Sequence, residues 1–492
     1  MGFGVLGIAQ QAIAAQQLAL DVTGNNMANA TTPGYHGESV DLTENAPAPN
    51  AAMPSTLIGN GVTATAVSRA TNTFLSASVR NQASAVGYAT ALTQGLNQVQ
   101  SIFQEPQNGG LAEMMNQFNQ SWLSLSQNPT SLSARQTVIQ DGQTLASTFN
   151  SMSSYLANEE TSVNQNITTQ VQQINQLASQ LAHLNGEIAT VSTSGQQPND
   201  LLDQRGQLLN QLSKLTNINY TTGPANSVDV YIGSHPLVTG EHIYGMTTTQ
   251  IAVPGTGTAV LTADQPIWQD TGSPVQSQSG SLAGNMALLY NQTVSGSTGG
   301  TVASGYLTGY SQKLDALAQG VISTVNTGQA NGLNLFGTQS QDTSGKPLPF
   351  FNGTSAGTIQ VNSVMTPNLI AAVSQPPAGG SFGAGDGSNA AALYTTLTNG
   401  TMTIGSSTST TLSGYYQSLV GHVGLDGQSA NNAQTDGQAT LTSLQNDLQA
   451  VTGVDLNQQS VNMIQEQQSY MAAAKLVATQ QTLIQSLLAA VS

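Results

Sequence analysis

The sequence predicts a mainly α protein with a β-rich insertion: an α+β multidomain chain with coiled-coil helices at its ends. Three observations predict it. Apolar residues recur seven apart in both terminal stretches: Leu6, Ile13, Leu20 and Met27 at one end, Met463, Tyr470, Val477, Ile484 and Val491 at the other. Helical apolar periods fill much of the chain from about residue 80 to residue 217 and return after residue 286. Between them, residues 218–285 turn to short alternating runs punctuated by Gly, Thr and Pro.

The first helix carries Ile8, Ala15 and Val22 beside its seven-spaced set. It ends near "NNMANATTPGY", residues 25–35. Thr32 precedes Pro33 and is pushed out of the α region. Pro33-Gly34 suits the central positions of a type II turn, where glycine supplies positive φ. Asn25, Asn26 and Asn29 are tolerable residues for a fraying or capped helix end. Residues 37 to about 80, with "GVTATAV", read as extended.

Helices then dominate. Leu92, Leu96, Val99 and Phe103 mark one face, closed by Pro106; Leu111, Met115, Phe118, Trp122 and Leu125 mark the next, closed by Pro129. A long helix follows through Val163, Ile167, Val171, Ile174, Leu177, Leu181, Leu184, Ile188 and Val191. After Pro198, "NDLLDQRGQLLNQLSKL" is helical again, with Asp203 and Arg205 two apart and so not facing one another. "SVDVYIG" opens the β-rich stretch. Helical spacing returns at Leu307, Tyr310, Leu314, Leu317 and Val321. It returns again at Leu412, Tyr415, Leu419 and Val423, and then at Leu441, Leu444, Leu448 and Val451. The expected organisation is nested: residues 1–75 with 455–492 as a terminal helical domain; 76–217, 286–331 and 389–454 as a helical bundle; 218–285 as a β-rich inserted domain; 332–388 as an irregular or β loop region.

The formal net charge of −16 argues against nucleic acid, which needs a basic footprint, and against a polybasic membrane anchor. Only 7% of the 492 residues are charged, and the polarity comes from Gln, Asn, Ser, Thr and Gly. That suits subunits packed side by side, since burying an amide costs less than burying a charge. The absence of cysteine removes disulfides, thiolate zinc sites and cysteine nucleophiles. The start, "MGFGVLGIAQQAIAAQQLAL", lacks the basic and continuous apolar regions of a secretory signal, and no run reaches the ~18–20 apolar residues of a membrane span.

Catalytic signals are thin. His235 and His242 share the β region without a carboxylate cluster, and His36, His183 and His422 stand apart. "GAGDG" at 383–387 occurs once, whereas calcium-binding repeats need several copies. "GNGV" at 59–62 has no Lys and no phosphate-loop frame. The expectation is no enzyme, no cofactor and no metal.

Four stretches together resemble the flagellar rod, hook and hook-associated axial protein family. "NNMANATTPGY" is similar to that family's N-terminal motif, and "IQEQQSYMAAAKLVATQQTLIQSLL", 464–488, to its C-terminal helix. "LLDQRGQLLNQLSKL", 201–215, with "IGNGVTATAVSRATNTFL", 58–75, narrows the likeness to the hook–filament junction branch. The resemblance covers the ends and the first half, and hardly touches 220–400. The chain departs from the family pattern at His36-Gly37-Glu38, where a small residue and then Arg are usual. It departs also at Gly206, usually acidic, and at Glu466, often apolar or aromatic.

The resemblance implies a structural subunit at the hook–filament junction, in an extracellular flagellum, exported unfolded by the flagellar type III apparatus after a transient cytoplasmic stage. The alternatives are a hook or distal-rod protein, or an extracellular hydrolase or adhesin on a flagellar-type scaffold. A hydrolase would need carboxylates or histidines converging within 220–400. Implied partners are the hook protein, a second hook-associated protein on the filament side, further copies of the chain in a ring, and a cytosolic export chaperone at the C-terminal helix. Nucleic acid and membrane insertion are not implied. The expected assembly residues are Leu6, Ile13, Leu20, Met27, Asn29, Thr32, Pro33, Gly34, Tyr35, Met463, Tyr470, Val477, Ile484 and Leu488. Both ends are expected to order only on assembly, because a lone pair of helices buries one seam and leaves its other faces in water.

Overall fold

The computed structural model describes residues 2–50, 53–103, 109–254, 260–291, 303–376, 381–405 and 407–491. Ten α-helices run along the chain among the described residues: α1 Gly2–Asn29, α2 Thr73–Phe103, α3 Leu111–Gln127, α4 Leu132–Thr193, α5 Asn199–Leu215, α6 Ser281–Leu289, α7 Tyr306–Asn331, α8 Ser388–Asn399, α9 Leu412–Thr452 and α10 Leu456–Val491. The main strands are β1 Glu38–Glu44, β2 Ala48–Asn50, β3 Met53–Ile58, β4 Val62–Arg69, β5 Asn219–Thr222, β6 Val228–Ile232, β7 His235–Thr239, β8 His242–Ile243, β9 Met246–Pro254 and β10 Val260–Trp268. The fold is mainly α with small antiparallel sheets.

The chain forms two compact units. One holds Met1–Ala85, Ile174–Gly245 and Gly437–Ser492; the other holds Val86–Gln173 and Met246–Asp436.

In the first unit α1 packs along α10 and against β1 and β4. β1 and β4 pair antiparallel from Glu38↔Arg69 to Glu44↔Val62, with a register shift after Asp41, and β2 and β3 pair between them. Thr23 meets Glu466 and Asn26 meets Gln459, so α1 and α10 run antiparallel. The two helices together carry three charged residues, Asp21, Glu466 and Lys475. β5 to β8 form a four-stranded sheet in sequential order. Val228, Val230 and Ile232 alternate onto its buried face, as a half-buried strand requires. Asn185 of α4 pins that sheet by donating to the carbonyls of Val228 and Gly240, both at 2.8 Å, and accepting the Val228 N–H at 3.0 Å.

The second unit is built on α3, α6, α7 and α8, with parts of α2, α4 and α9. Phe118, Trp122, Phe350 and Phe351 form its aromatic centre, with ring centroids 4.8–6.1 Å apart. Residues 332–376 are irregular yet packed: Phe350, Ile359, Ile370, Ala371 and Ala372 are buried. Helix side chains substitute for sheet partners there. Asn150 donates to the carbonyls of Ala356 and Ile359, Asn326 exchanges two hydrogen bonds with Phe351, and Gln329 bridges Leu369 and Ala371. Such pairing satisfies buried backbone groups that have no ladder of their own. Arg135, fully buried on α4, donates to the carbonyls of Pro129, Pro367 and Ile370.

Several elements differ in extent from the apolar spacing. The stretch expected to be extended to about residue 80 ends at Arg69, and α2 starts at Thr73, because the Asn72 side chain caps it by accepting the Leu75 N–H at 3.0 Å. The long helix begins at Leu132, continuing its buried stripe back through Val138, Leu145, Phe149 and Leu156. The two apolar runs after Leu412 belong to one helix, α9. It breaks from α10 at Gly453–Asp455, where the Asp455 side chain accepts the N–H groups of Asn457 and Gln458.

Candidate functional site

α1 ends where the sequence places the turn. The Thr32 N–H donates to the Asn29 carbonyl at 2.9 Å, and the Tyr35 N–H to the Thr32 carbonyl at 3.2 Å. Gly34 has φ +79°, so Thr32-Pro33-Gly34-Tyr35 is a type II turn. Glycine is required there twice over. A Cβ at Gly34 would stand 2.7 Å from Gln207 Nε2, and that Nε2 donates to the Pro33 carbonyl at 2.7 Å.

The asparagines of the motif hold the turn against the helix. Asn29 Nδ2 donates to the carbonyl and side-chain oxygen of Asn25, and its Oδ1 accepts from Thr32 Oγ1. Asn26 is buried; its side chain pairs with the Glu38 backbone in both directions and accepts the Tyr35 hydroxyl at 2.9 Å. Burial, with Glu38, Asp200 and Asp203 nearby, pushes the Tyr35 hydroxyl well above the usual phenol range. Tyr35 is therefore a neutral donor throughout the physiological range.

Asp203 is the hub of the contact with α5. Its Oδ2 accepts the His36 N–H at 3.0 Å, His36 Nδ1 lies 2.6 Å from Oδ1, and Arg69 Nη1 donates to the same oxygen. A carboxylate oxygen can only accept, so His36 Nδ1 carries its hydrogen here. Asn199, at the start of α5, donates to Glu38 Oε1 at 2.7 Å and to the Val67 carbonyl at 3.0 Å. The Gly37 N–H donates to the Thr452 carbonyl at 2.9 Å, tying the same segment to the end of α9, one short break before α10. Arg205, two residues from Asp203, faces elsewhere and donates to the Asn226 carbonyl. Burial and the nearby Arg69 and Arg80 push its guanidinium down to about 10.

The sequence-expected residues fall into two groups. Asn29, Thr32, Pro33, Gly34 and Tyr35 meet in the turn. Leu6, Ile13, Leu20 and Met27 on α1, and Met463, Tyr470, Val477 and Ile484 on α10, are all half-buried, and Leu488 is 67% exposed. Among the described side chains, the fully buried positions of α1 are Ala9, Ala15, Ala19, Val22, Thr23 and Asn26. Small side chains let α1 lie close to its neighbours, and the larger seven-spaced residues flank that line. The signal was present: 15, 19, 22 and 26 follow the four-three-four helical step. His36, Arg69, Asn199, Asp203 and Gln207 carried no such signal, because their meeting is a tertiary fact. Among the described residues, no group of three or more His, Asp and Glu is placed to hold a metal ion, and no helix is long and apolar enough to cross a membrane.

A turn that locks one terminal helix to both α5 and the α9–α10 break is a scaffold for helix placement, and comparison with known proteins bears on which scaffold. The family model "Flagellar hook-associated protein FlgK helical domain" matches residues 96–343, and "Flagella basal body rod protein" matches residues 6–36. Flagellar hook-associated protein 1 of Bacillus subtilis is 31% identical, over 97% of this chain and 96% of its own. This chain belongs to the flagellar hook-associated protein 1 family. The protein of that name from Salmonella typhimurium is 25% identical over 71% of this chain and 61% of its own length. The structure of the flagellar hook junction protein FlgK from Burkholderia pseudomallei has the same fold, with a TM-score of 0.60 at 17% identity, covering 76% of this chain and all of that one. Within the family's matched rod segment, residues 6–36, lie α1 from Leu6 onward and the whole turn.

Proposed function

We propose that this chain is a structural subunit of the bacterial flagellum that joins hook to filament, assembling through α1 and α10. One observation carries the reading beyond family membership. The α1–α10 pair covers only one side of itself: Leu456, Val461, Ile464, Met471, Leu476, Leu483 and Leu488 of α10 are all about half exposed or more. Apolar exposure of that extent marks an interaction surface. Neighbouring copies of the chain in a ring cover it, with hook protein on one side and a second hook-associated protein on the other. Before assembly the chain travels unfolded through the flagellar export apparatus, its C-terminal helix held by a cytosolic chaperone. It performs no catalysis and takes no cofactor.

The decisive experiment is a deletion strain viewed by electron microscopy. Hooks without filaments, with flagellin shed into the medium, are expected. Normal filaments would overturn the junction role, and missing hooks would assign the chain to the hook or distal rod instead.

A further inference from the structure

Glu466 stands in the seam between the terminal helices. Its Oε1 accepts a hydrogen bond from Thr23 Oγ1 of α1 at 3.1 Å, and Thr23 is itself buried. Its Oε2 is buried too and meets no hydrogen-bond partner among the described residues. An ionised carboxylate offers about four acceptor sites. Here it meets a single neutral hydroxyl.

No cation among the described residues compensates. α1 contains no Lys or Arg, and Asp21 is its one charged residue. On α10 the one other charged residue is Lys475, nine residues on and so about 13 Å along the axis. The ribbon strands against α1 bring Glu38, Asp41, Glu44 and Arg69, and Arg69 is engaged by Asp203. The other polar contact across the seam, Asn26 Nδ2 to Gln459 Oε1 at 3.4 Å, does not titrate.

We propose that Glu466 makes the pairing of α1 with α10 proton-linked, so that the terminal helices dock with the carboxyl protonated and loosen when it ionises. Burial raises the carboxyl above its ordinary 4.5, and the Thr23 hydrogen bond offsets only part of that. The sign follows from the direction. A carboxyl that binds its proton more tightly when docked contributes pairing stability that is full below its free value and is lost as pH rises through its docked value. Once the carboxyl ionises, the seam holds an uncompensated charge, and the ends of a free chain become openable. A leucine at this position would close the seam at every pH.

The test is hydrogen exchange on the full-length chain from pH 4 to pH 8, corrected for the intrinsic pH dependence of exchange, read over residues 2–29 and 456–491. Peptides from the second unit serve as the internal reference. Wild-type protection of both helices falls with rising pH. Glu466→Gln and Glu466→Leu remove the slope and, toward pH 8, are better protected than wild type, because neither can place a charge in the seam. Asp21→Asn keeps the wild-type slope. A flat wild-type profile, a slope that survives both Glu466 substitutions, loss of the slope in Asp21→Asn, or complete exchange of both helices at every pH in all variants would each overturn the proposal.

Discussion

Asn26 and Glu38 exchange two hydrogen bonds: Asn26 Nδ2 donates to the Glu38 carbonyl at 2.7 Å, and the Glu38 N–H donates to Asn26 Oδ1 at 2.9 Å. One helical side chain thereby treats the first residue of β1 as a neighbouring strand would. Asn26→Asp keeps the shape and loses the donor, setting a carboxylate oxygen against a carbonyl. It is expected to cost about 1–3 kcal/mol, the penalty for an unsatisfied buried polar group. Hydrogen-exchange protection at residues 35–40 reads it out; unchanged protection would show that the pair does not hold the turn.

Gly34 separates two costs that usually travel together. Gly34→Ala places a Cβ both in the left-handed region and against Gln207. The conformational part costs about 1 kcal/mol. In a Gln207→Ala background the collision is gone and the conformational part remains. Gly34→Ala should therefore lower the urea midpoint less in the Gln207→Ala background than in wild type; equal losses would show that the collision costs nothing.

Asp203 is nearly buried and serves two basic side chains. Asp203→Ala leaves Arg69 without its carboxylate and is expected to cost about 3–5 kcal/mol, as breaking a buried ion pair does. His36→Ala removes a weaker partner and should cost about 1 kcal/mol. A double-mutant cycle between Asp203 and Arg69 should give at least about 1 kcal/mol of coupling; additive losses would deny the hub.

Arg135 holds the irregular segment of the second unit through three backbone carbonyls. Burial pushes its guanidinium down to about 10, still well above neutrality, so the fork stays charged. Lysine cannot reproduce the planar fork. Arg135→Lys should cost about 1–3 kcal/mol for each carbonyl left unmet, visible as early melting of residues 340–376 by hydrogen exchange.

Limited proteolysis of the free chain at neutral pH should trim it to about residue 70 and from about residue 455, leaving a resistant middle. Among the described residues, the buried positions of α1 and α10 are mostly alanine, which returns little free energy against the backbone entropy of two long helices. The same C-terminal segment is the expected chaperone surface, so Val477→Ala with Ile484→Ala should weaken co-purification. Chaperone binding that survives removal of residues 455–492 would place that surface elsewhere.

The longer helices were legible because each has a face that repeats; α6 and α8 are too short to show one and were not legible in the sequence. Leu92, Leu96, Val99 and Phe103, or Leu307, Tyr310, Leu314, Leu317 and Val321, announce their burial at helical spacing, and all are buried. The turn was legible because Pro33-Gly34 has few conformations open to it. Residues 332–376 were not legible as core, since Phe350, Ile359 and Ile370 sit among Gly, Ser and Pro with no period, and their backbone partners are amides on distant helices. The Asp203 hub was hidden for the same reason: His36 and Arg69 reach it from 167 and 134 residues away.

The scarcity of charge on α1 and α10 has a consequence for the medium in which such a structure must hold. Ionic contacts between exposed groups weaken as salt shortens the Debye length from ~30 Å at 0.01 M to ~8 Å at 0.15 M. Three charged residues on two long helices leave almost nothing for dissolved ions to screen. Apolar contact, with the Thr23–Glu466 and Asn26–Gln459 hydrogen bonds, carries the joint instead, and these depend less on ionic strength than exposed ion pairs do. The contact between α1 and α10 is therefore expected to hold nearly unchanged from dilute buffer to physiological salt.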